Sequence, residues 1–175
     1  LSTGLADHLM DGVVWSEAEG NDVADRLAAL PDEPPFFLSL AAMLCGMRPG
    51  DAEAACKRAK CANAESKGVG WLLAGLPRVG RAELLNLADL KLLVADDRFD
   101  PLCDLLRADL SARSEPTSAH TAIVERARSI PENEVAPPPL VTGEDLLARN
   151  VPRGPDYATI LKTVYRAQWK DGLPV

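Results

Sequence analysis

Proline and glycine divide this chain into short stretches whose apolar residues have helical spacing. The chain holds 14 prolines, and proline ends or opens a helix because it lacks the amide proton and has a fixed φ. Between these breaks apolar residues recur every three or four positions, the spacing of one helix face. One such stripe is Leu102, Leu105, Leu106 and Leu110. No stretch alternates with period two, so the pattern predicts an all-α protein, an irregular bundle of about eight to ten helices that ends in a small helical tail.

The composition agrees with a helical, folded chain. Leucine and alanine each occur 26 times against three isoleucines, and small or straight-chain apolar residues favour helix over strand. Hydrophobic residues make up 47 % of the chain, which argues against disorder. No apolar run has the length of a membrane-spanning helix, and no signal-peptide pattern opens the chain. The four cysteines form no C-x-x-C pair, so we expect reduced thiols and a cytoplasmic protein.

We predict three regions. A helical, neck-like lead-in covers residues 1–35, a helical body covers 36–136, and a tail subdomain covers 137–175. The lead-in should consist of two helical pieces broken at Gly20-Asn21, and the helix after Asn63 should stop at Pro77. Because the chain begins with Leu1, we expect it to be part of a longer protein.

The tail has a clear internal order. Three prolines at 137–139 cannot continue a helix, so the chain should pass through them in an extended form. A short helix is predicted from Glu144 to about Arg149, with its acids favoured by the helix dipole. Pro155 suits the first position of a second helix. From Tyr157 the apolar face recurs at 160, 161 and 164 and is closed by Gln168, while basic residues occupy the opposite face.

The net charge of −7 argues against nonspecific nucleic-acid binding, but its distribution is uneven. Residues 56–82 hold six basic residues and one acid, and residues 149–170 hold five basic residues and one acid. Two basic islands in an acidic chain could follow a phosphate backbone while the remainder repels it. The alternative is that each island is a solvated helix face. Few aromatic residues accompany the islands, so contact with a duplex backbone is favoured over base stacking.

Three motifs, in order, carry a family resemblance. Residues 138–146 read Pro-Pro-Leu-Val-Thr-Gly-Glu-Asp-Leu, followed by Gly154-Pro155 and Ala167-Gln168. The block Lys-Arg-Ala-Lys-Cys-Ala-Asn-Ala-Glu-Ser-Lys at 57–67 precedes Trp71-Leu72, and an apolar helix is predicted at 36–44. Together these resemble the body and tail of bacterial CCA-adding enzymes and their poly(A)-polymerase-like relatives, the class II tRNA nucleotidyltransferase family. The resemblance covers roughly residue 22 to the end.

That resemblance implies that catalysis belongs to a different part of the protein. In the family, an N-terminal head carries a Gly-Ser nucleotide-binding turn and two carboxylates at Asp-x-Asp spacing, and the parent protein is expected to use Mg²⁺ with CTP or ATP. No such head is recognisable here. The acid pairs Asp96-Asp97 and Glu144-Asp145 are adjacent, and adjacent carboxylates on a helix point about 100° apart, which is poor for holding one ion. We therefore expect no catalytic residue, metal or cofactor in this chain.

A second departure concerns hydrolysis. Many relatives carry a His-Asp pair after the apolar helix, as in HD phosphohydrolases, whereas here the helix runs into Leu44-Cys45-Gly46. Without the imidazole and the carboxylate, a dinuclear metal centre is not expected there. The isolated His8 and His120 are interpreted as structural.

The remaining role is to grip the acceptor–TΨC arm of tRNA for the missing N-terminal head. Cationic side chains would contact phosphates, and the amides of a helix opened by Gly-Pro would bind another. The predicted phosphate-binding residues are Lys57, Arg58, Lys60, Lys67, Arg153, Gly154, Lys162, Arg166 and Lys170. For Gly154-Pro155 the alternative is a tight turn needed for packing, and Trp71 and Leu72 are assigned to the core.

Two other classes of function stay open. One is a helical scaffold or dimerisation module, with a homo-oligomer as its product, which predicts a contiguous exposed apolar patch. The other is a degenerate HD-like domain without hydrolase activity that binds a nucleotide or phosphate, which predicts a concave basic pocket.

Overall fold

The structure, a computed structural model, describes residues 17–131, 135, 139–149, 154 and 156–171. Side chains are described within 20–131, at 135, 139–149 and 154, and over 156–168. These residues form nine α-helices and one 3₁₀ turn, Ala82–Leu84, and contain no strand, which confirms the all-α prediction. The helices are α1 (Glu17–Ala28), α2 (Phe36–Met43), α3 (Pro49–Arg58), α4 (Asn63–Val79), α5 (Leu87–Val94), α6 (Phe99–Ala112), α7 (Ser118–Arg128), α8 (Gly143–Ala148) and α9 (Tyr157–Asp171).

The chain divides into two compact units. The first comprises residues 1–85 and 97–126, and the second comprises residues 86–96 and 127–175. Residues 86–96 therefore leave the first unit and join the tail. The boundaries predicted at 35/36 and 136/137 stay predictions. In the part of the chain that the structure describes, no helix is both long and apolar enough to cross a membrane.

Helix α4 is the centre of the first unit. It packs against α2, α3 and α6, and α1 packs against α2 and α6. Glycines let neighbouring side chains approach α4 closely. A Cβ added at Gly68 would lie 3.0 Å from Cγ of Phe37, and one added at Gly75 would lie 2.7 Å from a methyl carbon of Leu102. The core around these contacts is leucine-rich, with Leu102 and Leu105 fully buried.

A buried ion pair joins α1 to α6 in this unit. Nε of Arg26 donates to Oδ1 of Asp109 at 3.0 Å, and its Nη1 donates to the carbonyl of Ala42 at 3.1 Å. Both charged side chains are less than a tenth exposed. Arg113, the C-cap residue of α6, donates to the other carboxylate oxygen at 2.6 Å. The carboxylate is thus shared between two guanidinium groups, which offsets the cost of burying it.

Two predicted helix breaks are wrong. Helix α1 runs through Gly20-Asn21, and α4 runs through Pro77 to Val79. Pro77 is exposed and lies in the last turn, where a lost hydrogen bond costs less than in mid-helix. Val79 is fully buried, so burial of its side chain keeps that turn helical. Tertiary packing overrides the local proline signal here.

Asp51 and Asn63 are polar residues that could cap α3 and α4, but they lie three residues and one residue beyond the N-cap positions. Arg48 precedes α3 and Pro49 opens it, so Asp51 lies in the first turn instead of at the cap. Ala62 stands at the N-cap of α4 and Asn63 is its first residue. Such offsets are ordinary at helix ends.

The second unit holds α8, α9 and the inserted α5, which packs against α9. Thr142 and Asp145 form a reciprocal capping box at the start of α8, so the interpretation of the tail acids as helix-start residues is confirmed. The Tyr157 hydroxyl donates to the carbonyl of Gly143. The amide of Leu140 donates to Oε1 of the buried Gln168 at 3.0 Å. These contacts tie the short helix and the chain before it to α9.

Candidate nucleic-acid interface

The first basic cluster, defined as Lys57, Arg58, Lys60 and Lys67, surrounds the turn from α3 to α4. The turn is a Schellman motif. The amide of Lys60 donates to the carbonyl of Lys57, and the amide of Cys61 donates to the carbonyl of Cys56, each at 3.0 Å. Lys60 takes the left-handed conformation that this motif needs, with φ of 59°. The backbone that carries these cations is therefore fixed by hydrogen bonds at both ends of the turn.

All four side chains of the first basic cluster are exposed. Lys57 has a long ion pair, 4.0 Å from Nζ to Oε2 of Glu53 one turn earlier on α3. Within the described residues, the other three have no ion-pair partner. An exposed ion pair at this spacing is worth well under ~1 kcal/mol, so all four charges are accessible to an anionic ligand.

Lys67 begins an exposed stripe along α4. Positions 67, 71, 74 and 78 are exposed or half-buried, whereas positions 66, 68–70, 72, 73 and 75 are buried. Lys67 and Arg78 are therefore on the same side, about 16 Å apart along the axis at 1.5 Å per residue. Basic charge thus continues along α4 beyond the turn.

Trp71 lies between them on this stripe, and its ring is covered. The guanidinium carbon of Arg98 is 4.6 Å from the ring centroid, a cation–π contact. The core assignment of Leu72 is confirmed, since it is fully buried, whereas Trp71 is only half-buried. Arg98 comes from the start of α6, and nothing in its sequence spacing predicts this contact. One face of the Trp71 ring is therefore covered by a cation of the same protein.

The second basic cluster is defined as Lys162, Arg166 and Lys170 on α9, and the side chains of Lys162 and Arg166 are described. Both are exposed. Arg166 is already engaged: its Nη2 donates to Oδ1 of Asp89 on α5 at 3.1 Å. The same Asp89 also accepts from Nδ2 of Asn86, which caps α5. Lys170 belongs to α9 but its side chain lies outside the described residues, as does the whole of Arg153.

Gly154 is exposed, and a Cβ added there would meet none of the described atoms within 4 Å. The alternative, a tight Gly-Pro turn needed for packing, stays a prediction. The carbonyl of Gly154 accepts from the amide of Tyr157 at 3.0 Å, just where α9 begins. Pro155 lies outside the described residues.

Outside the basic clusters, the shifted pKa values of three titratable groups are explained by burial or by neighbouring side chains. Burial, followed by the charge of Arg107, lowers the pKa of His120. Burial and then Asp109 raise the pKa of Cys45 to about 11, so this thiol is not a nucleophile near neutral pH. Hydrogen bonds from Thr142 lower the pKa of Asp145. No group of three or more His, Cys, Asp or Glu that could hold a metal ion occurs in the described part of the chain. His8 falls outside it.

The structure thus gathers the predicted residues into two groups, one in each unit. The first basic cluster belongs to the first unit, and Gly154, Lys162 and Arg166 belong to the second. The contact between Glu53 and Lys57 can be inferred from sequence spacing, because the two are one helical turn apart. The contacts of Asp89 with Arg166 and of Arg98 with Trp71 cannot be inferred in this way, because they depend on tertiary packing.

Comparison with known proteins identifies no relative: no family description, no curated protein and no solved structure matches this chain.

Proposed function

We propose that this chain is a non-catalytic RNA-binding portion of a protein similar to the tRNA nucleotidyltransferases. It holds the acceptor–TΨC arm of tRNA by its phosphates, so that a separate N-terminal head, expected to use Mg²⁺ with CTP or ATP, extends the 3′ end. The single observation that carries the proposal is the first basic cluster, whose four exposed cations lie on and around a hydrogen-bonded turn in a chain of net charge −7.

The arrangement suits a phosphate backbone better than a small ligand. The first basic cluster spreads from the last turn of α3 to the start of α4, so its four cations can meet more than one phosphate of an RNA strand. Exposed lysine and arginine side chains hold phosphates without reading sequence. Duplex RNA is bound mainly through its phosphates and 2′-hydroxyls, in keeping with the covered face of Trp71.

The second basic cluster makes a smaller contribution in this proposal. Lys162 is exposed and Arg166 shares Asp89, so a phosphate must compete with that carboxylate for Arg166. We therefore assign the larger part of the binding free energy to the first basic cluster.

The test is the affinity of the protein for a tRNA minihelix, measured against salt concentration. Four phosphate contacts predict a slope of log affinity against log salt of roughly −3 to −4. Replacing Lys57, Arg58 and Lys67 together by glutamine should weaken binding and reduce the steepness of that slope by about three. Arg128→Gln is the matched control, because Arg128 is an exposed cation outside both clusters and its loss should leave the slope unchanged.

Two outcomes contradict the proposal. One is the absence of binding at low salt, and the other is an affinity that does not fall as salt rises. Sedimentation of the same variants distinguishes the scaffold alternative: a dimerisation module would show self-association that the glutamine substitutions do not alter.

A further inference from the structure

Two of the four cysteines border the turn between α3 and α4. Cys56 is in the last turn of α3, and Cys61 follows the left-handed residue Lys60. They are the two residues joined by the outer hydrogen bond of the Schellman motif, from the amide of Cys61 to the carbonyl of Cys56 at 3.0 Å. In this motif the side chains of these two positions characteristically contact each other. The turn thus places two thiols side by side.

The two thiols differ in access to solvent. Cys56 is fully buried, whereas Cys61 is half-buried. The pKa of Cys56 is raised to about 11, first by burial and next by the adjacent Cys61 thiol. Cys56 therefore stays protonated near neutral pH, and an oxidant from solvent meets Cys61 first.

We propose that Cys56 and Cys61 are a site of reversible oxidation, where a peroxide converts the thiol pair into an intramolecular disulfide. The bond would close the turn that carries Lys57, Arg58 and Lys60. This inference stands independently of RNA binding, because it rests on the turn alone.

The chemistry balances in two steps. The Cys61 thiolate attacks one oxygen of hydrogen peroxide and breaks the O–O bond, which gives a sulfenic acid and, after protonation of the leaving hydroxide, water. The sulfur of Cys56 then attacks the sulfenic sulfur, loses its proton, and expels a second water. Two thiols lose two electrons and two protons, and one peroxide is reduced to two waters. A thiol reductant reverses the reaction by exchange through a mixed disulfide at Cys61.

The other two cysteines lack this arrangement. Cys45 donates to Oδ1 of Asp109 at 3.5 Å. Burial and then Asp100 raise the pKa of Cys103 to about 12. Neither has another cysteine within ten positions along the chain, so neither shares a turn with a second thiol. They serve as internal controls in the same molecule.

The test uses peroxide on the folded protein, followed by alkylation of the remaining thiols in denaturant. We expect two of the four thiols to become unreactive, and reduction to restore both. Trypsin cleaves after Lys57, Arg58 and Lys60, so a disulfide between these cysteines joins the peptide that ends at Lys57 to the one that begins at Cys61. Mass spectrometry of the unreduced digest should find that linked pair with Cys56, and not Cys45, as the bonded residue.

Single cysteine substitutions test whether Cys56 and Cys61 form the disulfide. Cys61→Ser changes a partly exposed side chain and should abolish the linked peptide and the paired loss of thiols. Cys103→Ser should leave both unchanged. A linked pair that persists in Cys61→Ser, oxidation that produces only chains joined to one another, or four thiols that all remain reactive after peroxide would each overturn the proposal.

Discussion

The two units carry similar basic helix positions in different surroundings. In the first unit the cations stand around a turn between helices packed into a leucine core, and three of the four have no ion-pair partner among the described residues. In the second unit α9 has a single buried residue, Gln168, among its described side chains, and Arg166 is held by Asp89. Exposed basic residues on helices therefore differ in how available they are to a ligand. The neighbouring elements decide whether a cation binds its own protein or a ligand.

The units also differ in how deeply their ion pairs are buried, and this sets the largest expected effect. Asp109→Ala leaves Arg26 buried without its carboxylate, so we expect a loss of about 3–5 kcal/mol in the free energy of unfolding. Denaturant titration followed by circular dichroism measures it. A change below ~1 kcal/mol would mean that water replaces the carboxylate and that the pair is not effectively buried.

Glycine substitutions probe packing in the two units. Gly75→Ala inserts a methyl group against the fully buried Leu102, and overpacking should outweigh the gain in helix propensity by about 1–2 kcal/mol. Gly154→Ala enters open space and should change stability by less than ~0.5 kcal/mol. Thermal unfolding of the two variants side by side measures the difference. Equal midpoints would show that Leu102 moves aside without cost.

The exposed ion pair between Asp89 and Arg166 in the second unit should contribute little to stability. Its larger effect should be on the charge that Arg166 offers to a ligand. Asp89→Asn removes the partner of Arg166 but keeps a side-chain oxygen near Asn86, so we expect a loss of under ~1 kcal/mol. If the proposed function holds, the released guanidinium should strengthen binding of the tRNA minihelix. Unchanged affinity in a folded variant would indicate that α9 does not contact the RNA.

The smallest effect concerns the cap of α8. Hydrogen bonds from the side chain and amide of Thr142 hold the pKa of Asp145 below its ordinary value, so the capped helix start is favoured while that carboxylate is charged. This contribution is present above the unfolded-state pKa of about 3.9 and is lost as pH falls through the lower folded-state value. Carboxyl chemical shifts from NMR titration should show a higher pKa for Asp145 in Thr142→Val. An unchanged pKa would show that the backbone amide of Thr142 alone is sufficient to lower the pKa of Asp145.

Local periodicity predicts much of this fold, and long-range contacts account for the rest. The stripe from Leu102 to Leu110, the helix at Tyr157 and the acids at the start of α8 follow from spacing and the helix dipole. The path of α4 through Pro77 does not, because it depends on the burial of Val79. The insertion of residues 86–96 into the tail unit has no local signal either, since an apolar stretch does not specify its partner.

The same reasoning applies to the candidate site. Lys57, Arg58, Lys60 and Lys67 are found by charge counting, because lysine and arginine on short apolar helices face solvent by default. The engagement of Arg166 by Asp89, 77 residues away, and the cover of Arg98 on Trp71 require knowledge of which helices meet. The pairing of Cys56 with Cys61 could have been found from sequence only if the left-handed residue Lys60 had been recognised as the end of a Schellman turn.

The contact between Arg26 and Asp109 can form only late in the synthesis of the first unit. These residues are 83 positions apart, so at about 5–20 residues per second the ribosome adds Asp109 roughly 4–17 s after Arg26. During that interval α1 lacks both its carboxylate partner and helix α6. Nascent chains that stall before residue 109 should therefore leave the Arg26 side chain without its partner, whereas the first unit is complete only after residue 126 has been added.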